Sequence, residues 1–493
     1  MVRKIRGIED VLEGPSRTFD EFSLLTGYTP KGCTIESVSL EQDLCGLTMK
    51  APLLSAAMMS VTGFELALEL ARNGGLGVVP ASLSVDEQVA IIRGLKEQDM
   101  PLIEDYVFVL PNEPVFEVLR KAKEHGHSTI PVVDKFRNFL GIFDANIFNQ
   151  GNDDAPLKVA SNSPISDVMQ PAKKLYSCRE GMSLKDMQKK FSELTQRCIP
   201  IVNRKGQLVR LAFKRDIENP QVAAAASSQS GWEERVEACI NAGADMIVFD
   251  SSHGFNYYQE KTITQYKKNS HFKHVPVCGG NVITAEGFRC LAKAGADAVK
   301  VGMSIGSICI TAGVKGTGRG QFTAVYEAVK ARDEFCKRRK YIPIIADGGI
   351  SFSGQMVIAL TIADFLMMGN YFNRFYEAAG EALDEHGNVI DRAKEPSRIK
   401  YIATWGEGSE RAKNHARYGH ITKRTLFAEG VEGRVGYAGR MKPNLRRDVN
   451  AIKAALRDTG SMDLPEFRKK AVIELRSEHS LAESQVHGVQ DYK

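Results

Sequence analysis

The sequence lacks the features that mark several classes of protein. Its nine cysteines are widely spaced and contain no C-x-x-C pair, which argues against a disulfide framework and against a zinc site. No apolar run is long enough to cross a membrane, and no apolar segment follows the basic N-terminus as in a signal peptide. A net charge of +5 over 493 residues gives no indication of binding to nucleic acid or to a membrane. We therefore expect a cytoplasmic protein.

The composition is that of an ordinary globular protein, with 43% hydrophobic and 25% charged residues. Short apolar runs alternate with amphipathic helical segments, which predicts a parallel sheet. The eight runs are 52–55, 76–79, 222–225, 246–249, 275–278, 298–301, 342–345 and 365–368. Eight such units predict an α/β fold of the (β/α)8 TIM-barrel type.

A weak internal repeat supports the barrel. The tripeptide Gly-Ala-Asp precedes two of the strands, at 243–245 and 295–297, and Ala-Asp precedes a third at 363–364. Polar or glycine residues follow four strands: Asp250, Gly302, Asp347 and Gly369. Active sites of such barrels form at the carboxyl ends of the strands, so we expect these residues to lie around the site.

The long gap between the second and third strands predicts an insertion at 95–215. It contains two similar units, at 115–143 and 183–213, and each reads as a helix, an Ile-Pro-containing strand, a turn and a second strand. The predicted domains are therefore 1–94 (first part of the barrel), 95–215 (the repeat pair) and 216–493 (the rest of the barrel).

The most informative stretch is the loop 302–311, Gly-Met-Ser-Ile-Gly-Ser-Ile-Cys-Ile-Thr, directly after a predicted strand. Small residues let backbone N–H groups approach an anion such as a phosphate closely. Cys309 at the far end carries a nucleophilic thiol. The loop alone is equally compatible with a glycine-rich turn that contains an incidental cysteine.

This loop resembles the catalytic loop of the inosine 5′-monophosphate (IMP) dehydrogenase family, which usually reads G-x-G-x-G-S-x-C-x-T. Ser304 stands here in place of the middle glycine. The resemblance extends over nearly the whole chain, and the insertion resembles the tandem CBS pair of that family. It implies that Cys309 adds to carbon 2 of IMP, that NAD+ takes the hydride, and that Thr311 shares in activating water.

The resemblance also implies substrate and cofactor contacts. The residues implied to bind IMP are Met58, Ser307, Asp347, Gly349, Met368, Gly369, Asn370, Glu407, Gly408 and Glu429. The residues implied to bind NAD are Asp250, Ser251, Ser252, Asn281 and Gly302. Asp347 would hold the ribose hydroxyls, and Gly349 would offer its N–H to the phosphate. The Asp-Ser-Ser segment also suits a helix N-terminus.

A basic segment after residue 404 resembles the mobile flap of the family. Arg417-Tyr418 begins twelve residues after Trp405, and Glu429 follows Arg417 by another twelve. In the family the arginine of this pair helps to activate water after NADH has left, so the resemblance gives Arg417 and Tyr418 a catalytic role. Without that spacing, the pair would be read as part of a solvated loop.

The family also uses K+, held by backbone carbonyls. The resemblance places the metal at Gly302, Ser304, Gly306 and Cys309, with a neighbouring subunit's Glu483, Ser484 and Gln485 where the family usually reads E-G-G. It further implies a homotetramer, association into octamers through the insertion, and an adenine or guanine nucleotide at the CBS pair.

Two other functions remain open from the sequence. GMP reductase, an NADPH-dependent deaminase, shares the barrel and the cysteine loop, and Thr311 and Glu429 suit it as well. It typically lacks the Arg-Tyr pair, so Arg417-Tyr418 favours the dehydrogenase. A non-enzymatic nucleotide sensor with a decayed barrel is the second alternative. The joint presence of Cys309, Asp347 and the Arg417-Tyr418 pair argues against it.

Overall fold

The computed structural model describes residues 5–6, 14–97, 106–125, 129–145, 162–194, 196, 198–213, 220–412 and 427–483. The chain forms two compact units, one made of residues 1–97 and 220–493 and the other of residues 98–219. Over those described ranges, no helix is both long enough and apolar enough to span a membrane.

The larger unit is built on an eight-stranded parallel sheet. Its strands are β1 (Leu53–Ser55), β2 (Gly77–Val79), β3 (Val222–Ala226), β4 (Met246–Asp250), β5 (Val277–Val282), β6 (Ala298–Val301), β7 (Ile344–Asp347) and β8 (Phe365–Met368). The strands pair in chain order from β2 to β8, and β8 pairs with β1. A parallel bridge between Leu54 and Leu76, at the start of β2, closes the sheet into a barrel.

A helix follows each strand. The helices are α1 (Phe64–Arg72), α2 (Val85–Lys96), α3 (Trp232–Asn241), α4 (Tyr257–Lys268), α5 (Ala285–Ala294), α6 (Gln321–Phe335), α7 (Ser353–Leu360) and α8 (Met441–Asp458). The predicted (β/α)8 barrel is therefore confirmed. Four strands begin later than predicted, two of them by one residue and two by two residues. The two larger differences place the strand start after Pro276 and Pro343, because proline has no N–H to donate to the ladder.

The barrel has two apolar layers. Side chains such as Val78, Val248 and Phe365 fill its interior, and Leu44 and Met49 from a short hairpin join the same cluster. A larger cluster lies between the outer faces of the strands and the helices. Because both faces of the sheet are covered, its strands are apolar throughout instead of alternating.

Buried carboxylates account for the repeated Ala-Asp pattern. Asp364 precedes β8, accepts a hydrogen bond from the N–H of Ile344 at 2.8 Å and pairs with Arg332 of α6 at 2.7 Å. The same arrangement recurs before β6, at Asp297 with Lys267, and before β4, at Asp245 with Lys96. Each carboxylate joins two strand starts and one helix at the amino end of the barrel.

Buried glutamines form a matching series at the other end. The side-chain amide of Gln88 in α2 donates to the carbonyl of Val79, at the end of β2, and to the carbonyl of Ala225, in β3. Gln259 in α4 and Gln321 in α6 bridge the ends of the next two strand pairs in the same way. These amides fix the spacing of strand ends where the candidate site lies.

Further elements surround the barrel. The strands are Ile5–Arg6, Phe22–Leu25, Gln42–Leu44, Leu47–Met49, Ala382–Leu383, Tyr401–Trp405, Glu432–Gly436 and Val472–Leu475. The helices are Phe19–Glu21, Thr311–Lys315, Cys336–Arg338, Asn370–Asn373, Pro396–Arg398, Glu410–Ala412, Leu464–Lys470 and Glu478–Glu483.

The smaller unit contains two copies of one motif. The first copy has helix Val115–His125 with strands Thr129–Val133, Phe139–Asp144 and Gln170–Pro171, and the second has helix Leu184–Glu193 with strands Cys178–Arg179, Cys198–Val202 and Leu208–Phe213. Short helices Ile165–Asp167 and Ala172–Lys174 lie between them. Both hairpins carry an irregularity at the same register position, so the repeat seen in sequence is also one of structure.

Asp364→Asn should destabilise the barrel by about 3 kcal/mol, because it removes the only buried one of the two carboxylates that pair with Arg332 in the described residues. Burial opposes ionisation of Asp364, but Arg332 and Arg468 outweigh it and hold the pKa of this carboxyl below its usual range. The stabilisation should therefore be present at neutral pH and be lost as pH falls below about 4.

Thermal unfolding followed by circular dichroism between pH 7 and pH 3 measures both effects. Asp333→Asn is the matched control, since Asp333 also pairs with Arg332 but is about half exposed. It should change stability by less than about 1 kcal/mol. Equal losses for the two variants would contradict the assignment.

Candidate active site

Two adjoining cavities open at the carboxyl ends of the barrel strands. One has a volume of about 550 Å³ and the other about 250 Å³. Both are lined by Met58, Asn281, Cys309, Thr311 and Asp347. The cysteine thus lies where the two cavities meet, as a nucleophile acting between two bound molecules would.

The Cys309 thiol has a hydroxyl beside it. Its Sγ lies 3.1 Å from Oγ1 of Thr311, the first residue of helix Thr311–Lys315. The cysteine loop also pairs with a distant segment, because Ile310 donates to the carbonyl of Glu429 and Cys309 forms an antiparallel bridge with Gly430. The loop is therefore held by the stretch that follows the predicted flap.

Close packing explains why the loop begins with glycine. A Cβ on Gly302 would lie 2.2 Å from the carbonyl oxygen of Asp347, so no other residue fits there. Ser304, in the family's glycine position, has a positive φ of 65°. Its hydroxyl donates to the carbonyl of Thr317 at 2.5 Å, which offsets part of the cost of that conformation.

Four of the residues predicted to bind IMP line the larger cavity. Ser307, Gly349, Gly369 and Asn370 face it from three loops. Gly349 has a positive φ of 71°, and α7 begins four residues later. Backbone N–H groups in such glycine-rich turns suit a dianionic oxygen group. Met368 does not line the cavity, but its carbonyl accepts from Ala56 and so positions the adjacent Met58 segment.

The smaller cavity is lined by residues predicted to contact the cofactor and by residues predicted to contact the purine. The first set is Asp250, Ser251 and Ser252. The second set is Glu407, Gly408 and Glu429. The Glu407 carboxylate accepts from the N–H of Met59 at 2.8 Å, and Glu429 pairs with Lys315 at 2.5 Å. The hydroxyls and carboxylates present can bind ribose and carboxamide groups of a nicotinamide nucleotide.

Lys300 contacts three of the predicted site residues, although the sequence pattern did not identify it as a site residue itself. Its ammonium lies 2.8 Å from Asp250 and 2.6 Å from Asp347, and it also donates to the side-chain oxygen of Asn281. The side chain is only 2% exposed. The sequence does contain a signal for Lys300, because it is a lysine within the apolar run 298–301. A charge buried in such a strand needs oppositely charged or polar partners.

The described residues cover the flap and potassium predictions only in part. Arg417, Tyr418, Ser484 and Gln485 fall outside the described residues. Glu483 ends helix Glu478–Glu483 in the C-terminal segment. Two of the predicted potassium ligands already accept hydrogen bonds, Gly302 from Asn281 and Gly306 from the N–H of Cys309. Across the described part of the chain, no cluster of three His, Cys, Asp or Glu side chains could hold a metal.

Comparison with known proteins decides the family. The family model described as the IMP dehydrogenase / GMP reductase domain matches residues 16–487. The chain belongs to the IMP dehydrogenase / GMP reductase family. It is 33% identical to an IMP dehydrogenase of Tritrichomonas foetus, with 96% of each chain covered. It is 32% identical to an IMP dehydrogenase of Aquifex aeolicus, with 96% of this chain and 95% of the relative covered.

The fold has solved neighbours in the same family. A GMP reductase from Trypanosoma brucei in complex with guanosine 5′-monophosphate superimposes with a TM-score of 0.68 at 24% identity, covering 98% of this chain and all of the other. At this identity the likeness supports the barrel and its insertion as a shared fold. The named relatives make this chain an enzyme of the IMP dehydrogenase type.

Gly302→Ala should lower turnover by at least about 100-fold, since the new methyl group would push the cysteine loop away from β7. Gly313→Ala is the matched control, because a Cβ there meets nothing within 4 Å. Steady-state kinetics of both variants, with circular dichroism to verify folding, measures the difference. A fully active Gly302→Ala enzyme would show that the close approach is not needed.

Proposed function

We propose that the protein oxidises IMP to xanthosine 5′-monophosphate with NAD+. The observation that carries the proposal is the Cys309 thiol, 3.1 Å from the Thr311 hydroxyl, at the junction of two cavities. One cavity offers glycine turns that suit a phosphate, and the other offers a carboxylate and two serine hydroxyls. This arrangement suits a covalent reaction between a nucleotide and a second, nicotinamide-bearing molecule.

In the proposed reaction the Cys309 thiolate forms a bond to carbon 2 of IMP. Asp250, Ser251 and Ser252 would hold NAD+, which would supply the acceptor for the hydride lost from carbon 2. A thioimidate between Cys309 and the purine remains. Water adds to carbon 2, the bond to sulfur breaks, and the thiol and xanthosine 5′-monophosphate are released. Thr311, in hydrogen-bonding distance of the sulfur, is placed to exchange a proton with the attacking water.

The other proposed site residues bind and orient IMP and NAD+. Asp347 receives the ribose hydroxyls, and the backbone around Gly349, Gly369 and Asn370 receives the phosphate, which their position in the lining of the larger cavity supports. Met58, Glu407, Gly408 and Glu429 receive the purine. Ser307 supports the phosphate segment, and Met368 supports the Met58 segment. Asp250, Ser251, Ser252, Asn281 and Gly302 receive the nicotinamide and its ribose; the first four line the smaller cavity, and the Gly302 carbonyl accepts a hydrogen bond from Asn281.

Further parts of the proposal rest on the family resemblance. Arg417 and Tyr418 activate water when the flap closes. K+ would be held by the carbonyls of Gly302, Ser304, Gly306 and Cys309, together with Glu483, Ser484 and Gln485 of a neighbouring subunit. The protein forms a homotetramer, and tetramers can pair into octamers. It acts in the cytoplasm. The occupied carbonyls of Gly302 and Gly306 retain one lone pair each for such a cation.

The experiment that tests the function compares two reactions by absorbance at the NADH band. The purified protein with K+, IMP and NAD+ should form NADH, whereas GMP with NADPH should give no reaction. Consumption of NADPH with GMP would make the protein a reductase. No change in either assay would favour a nucleotide sensor without catalysis.

Cys309→Ser should abolish turnover, by at least about 10⁴-fold, and still bind IMP, because only the nucleophile is lost. Cys290→Ser is the control, since Cys290 is also partly exposed but lies on α5 outside the cavities. Stopped-flow absorbance for turnover and calorimetry for IMP binding measure the two effects. Residual turnover close to wild type would remove Cys309 from the mechanism.

We also propose that residues 95–215 form a CBS pair that binds an adenine or guanine nucleotide. Support comes from the repeated hairpins and from a cavity of about 740 Å³ within this unit. Asp144 and Lys174 line it, and they offer a carboxylate for ribose hydroxyls and an ammonium for phosphate.

Calorimetry with ATP and GTP tests this proposal. Asp144→Ala should weaken nucleotide binding about tenfold, whereas Asp167→Ala, a change outside the cavity, should leave it unchanged. Equal binding by all three proteins would refute the assignment.

A further inference from the structure

Lys300 connects groups that the proposed function assigns to different ligands. Its ammonium contacts Asp250, which lines only the smaller of the two cavities, and Asp347, which lines both. The three strands that carry these residues are β4, β6 and β7. The strands of Lys300 and Asp347 pair directly, whereas the contact with Asp250 reaches past β5, which lies between β4 and β6.

The contacts of Lys300 leave the ammonium no freedom to move. It has three N–H groups, and it has three acceptors in Asp250, Asp347 and Asn281. Burial disfavours the charged form, but the two carboxylates outweigh it, and the pKa of Lys300 lies well above its usual range. The ammonium is therefore a fixed positive charge that both carboxylates share.

The network continues to the cysteine loop. The side-chain amide of Asn281 donates to Asp347 at 2.9 Å and to the carbonyl of Gly302 at 2.7 Å. Gly302 is the residue from which the loop carrying Cys309 begins. A displacement of either carboxylate thus shifts the ammonium, the amide and the start of the loop together.

We propose that Lys300 is a positioning residue that couples the two ligand sites, so that a change at the Asp250 side alters nucleotide binding at the Asp347 side. This rests on the proposed function, in which Asp347 binds the ribose of the nucleotide and Asp250 faces the cofactor. The coupling operates without cofactor, because it passes through the side chains of this chain alone.

The test measures the dissociation constant of IMP by calorimetry in the absence of any nicotinamide nucleotide. Asp250→Asn should weaken IMP binding about tenfold, although Asp250 is on the cofactor side. Lys300→Met should weaken it by at least as much. In the Lys300→Met background, adding Asp250→Asn should cause no further loss, because the connection is already broken.

Two variants control for general damage. Lys267→Met also removes a Lys–Asp ion pair, of 2.8 Å, but at the opposite end of the barrel, and should bind IMP like the wild type. Lys300→Arg keeps the positive charge and should bind IMP more tightly than Lys300→Met. If Lys300→Met does not fold, Lys300→Arg takes its place in the binding measurements. Circular dichroism verifies the fold of each variant.

Wild-type IMP affinity in Asp250→Asn, or equal additional losses in the wild-type and Lys300→Met backgrounds, would overturn the coupling. If the enzyme proves to reduce GMP instead, the proposed reaction fails but the same measurements are made with GMP, which carries the same ribose. Failure of the function and failure of the coupling are then distinguished.

Discussion

A buried ammonium between two carboxylates sets the geometry of the whole site. Lys300 holds Asp250 and Asp347 at 2.8 and 2.6 Å, and both carboxylates lie at the carboxyl ends of their strands. Two negative charges this close would repel each other without the lysine between them. Asn281 connects this group to the loop that carries Cys309, because it accepts a hydrogen bond from Lys300 and donates to Asp347 and to the carbonyl of Gly302.

The barrel supports that site by using the same devices repeatedly. At the amino end, a buried aspartate joins two strand starts to a basic residue of a helix, as Asp364 does with Arg332. At the carboxyl end, a buried glutamine such as Gln259 joins two strand ends through their carbonyls. Parallel strands whose ends are fixed in this way present their last residues at constant spacing, which a reaction between two bound molecules requires.

The position of Cys309 links the barrel to the segment beyond the flap. The cysteine loop forms a backbone bridge with Gly430, and the neighbouring Glu429 pairs with Lys315 at the end of the helix that Thr311 begins. The Cys309 thiol, its neighbouring hydroxyl and the predicted purine contact are therefore parts of one hydrogen-bonded substructure.

The sequence by itself determined the eight strands and the repeat in the insertion, because buried parallel strands need continuous apolar runs and a repeat preserves its pattern. It also indicated residues such as Asp347 and Cys309, since strand ends converge at one face of a barrel. Only the tertiary structure decided how they connect. The partners of Lys300 are 47 and 50 positions away along the chain, and no local pattern specifies an ion pair between them. Parallel pairing of the consecutive strands β4 to β7 brings these residues together, so the proposed coupling depends on the fold.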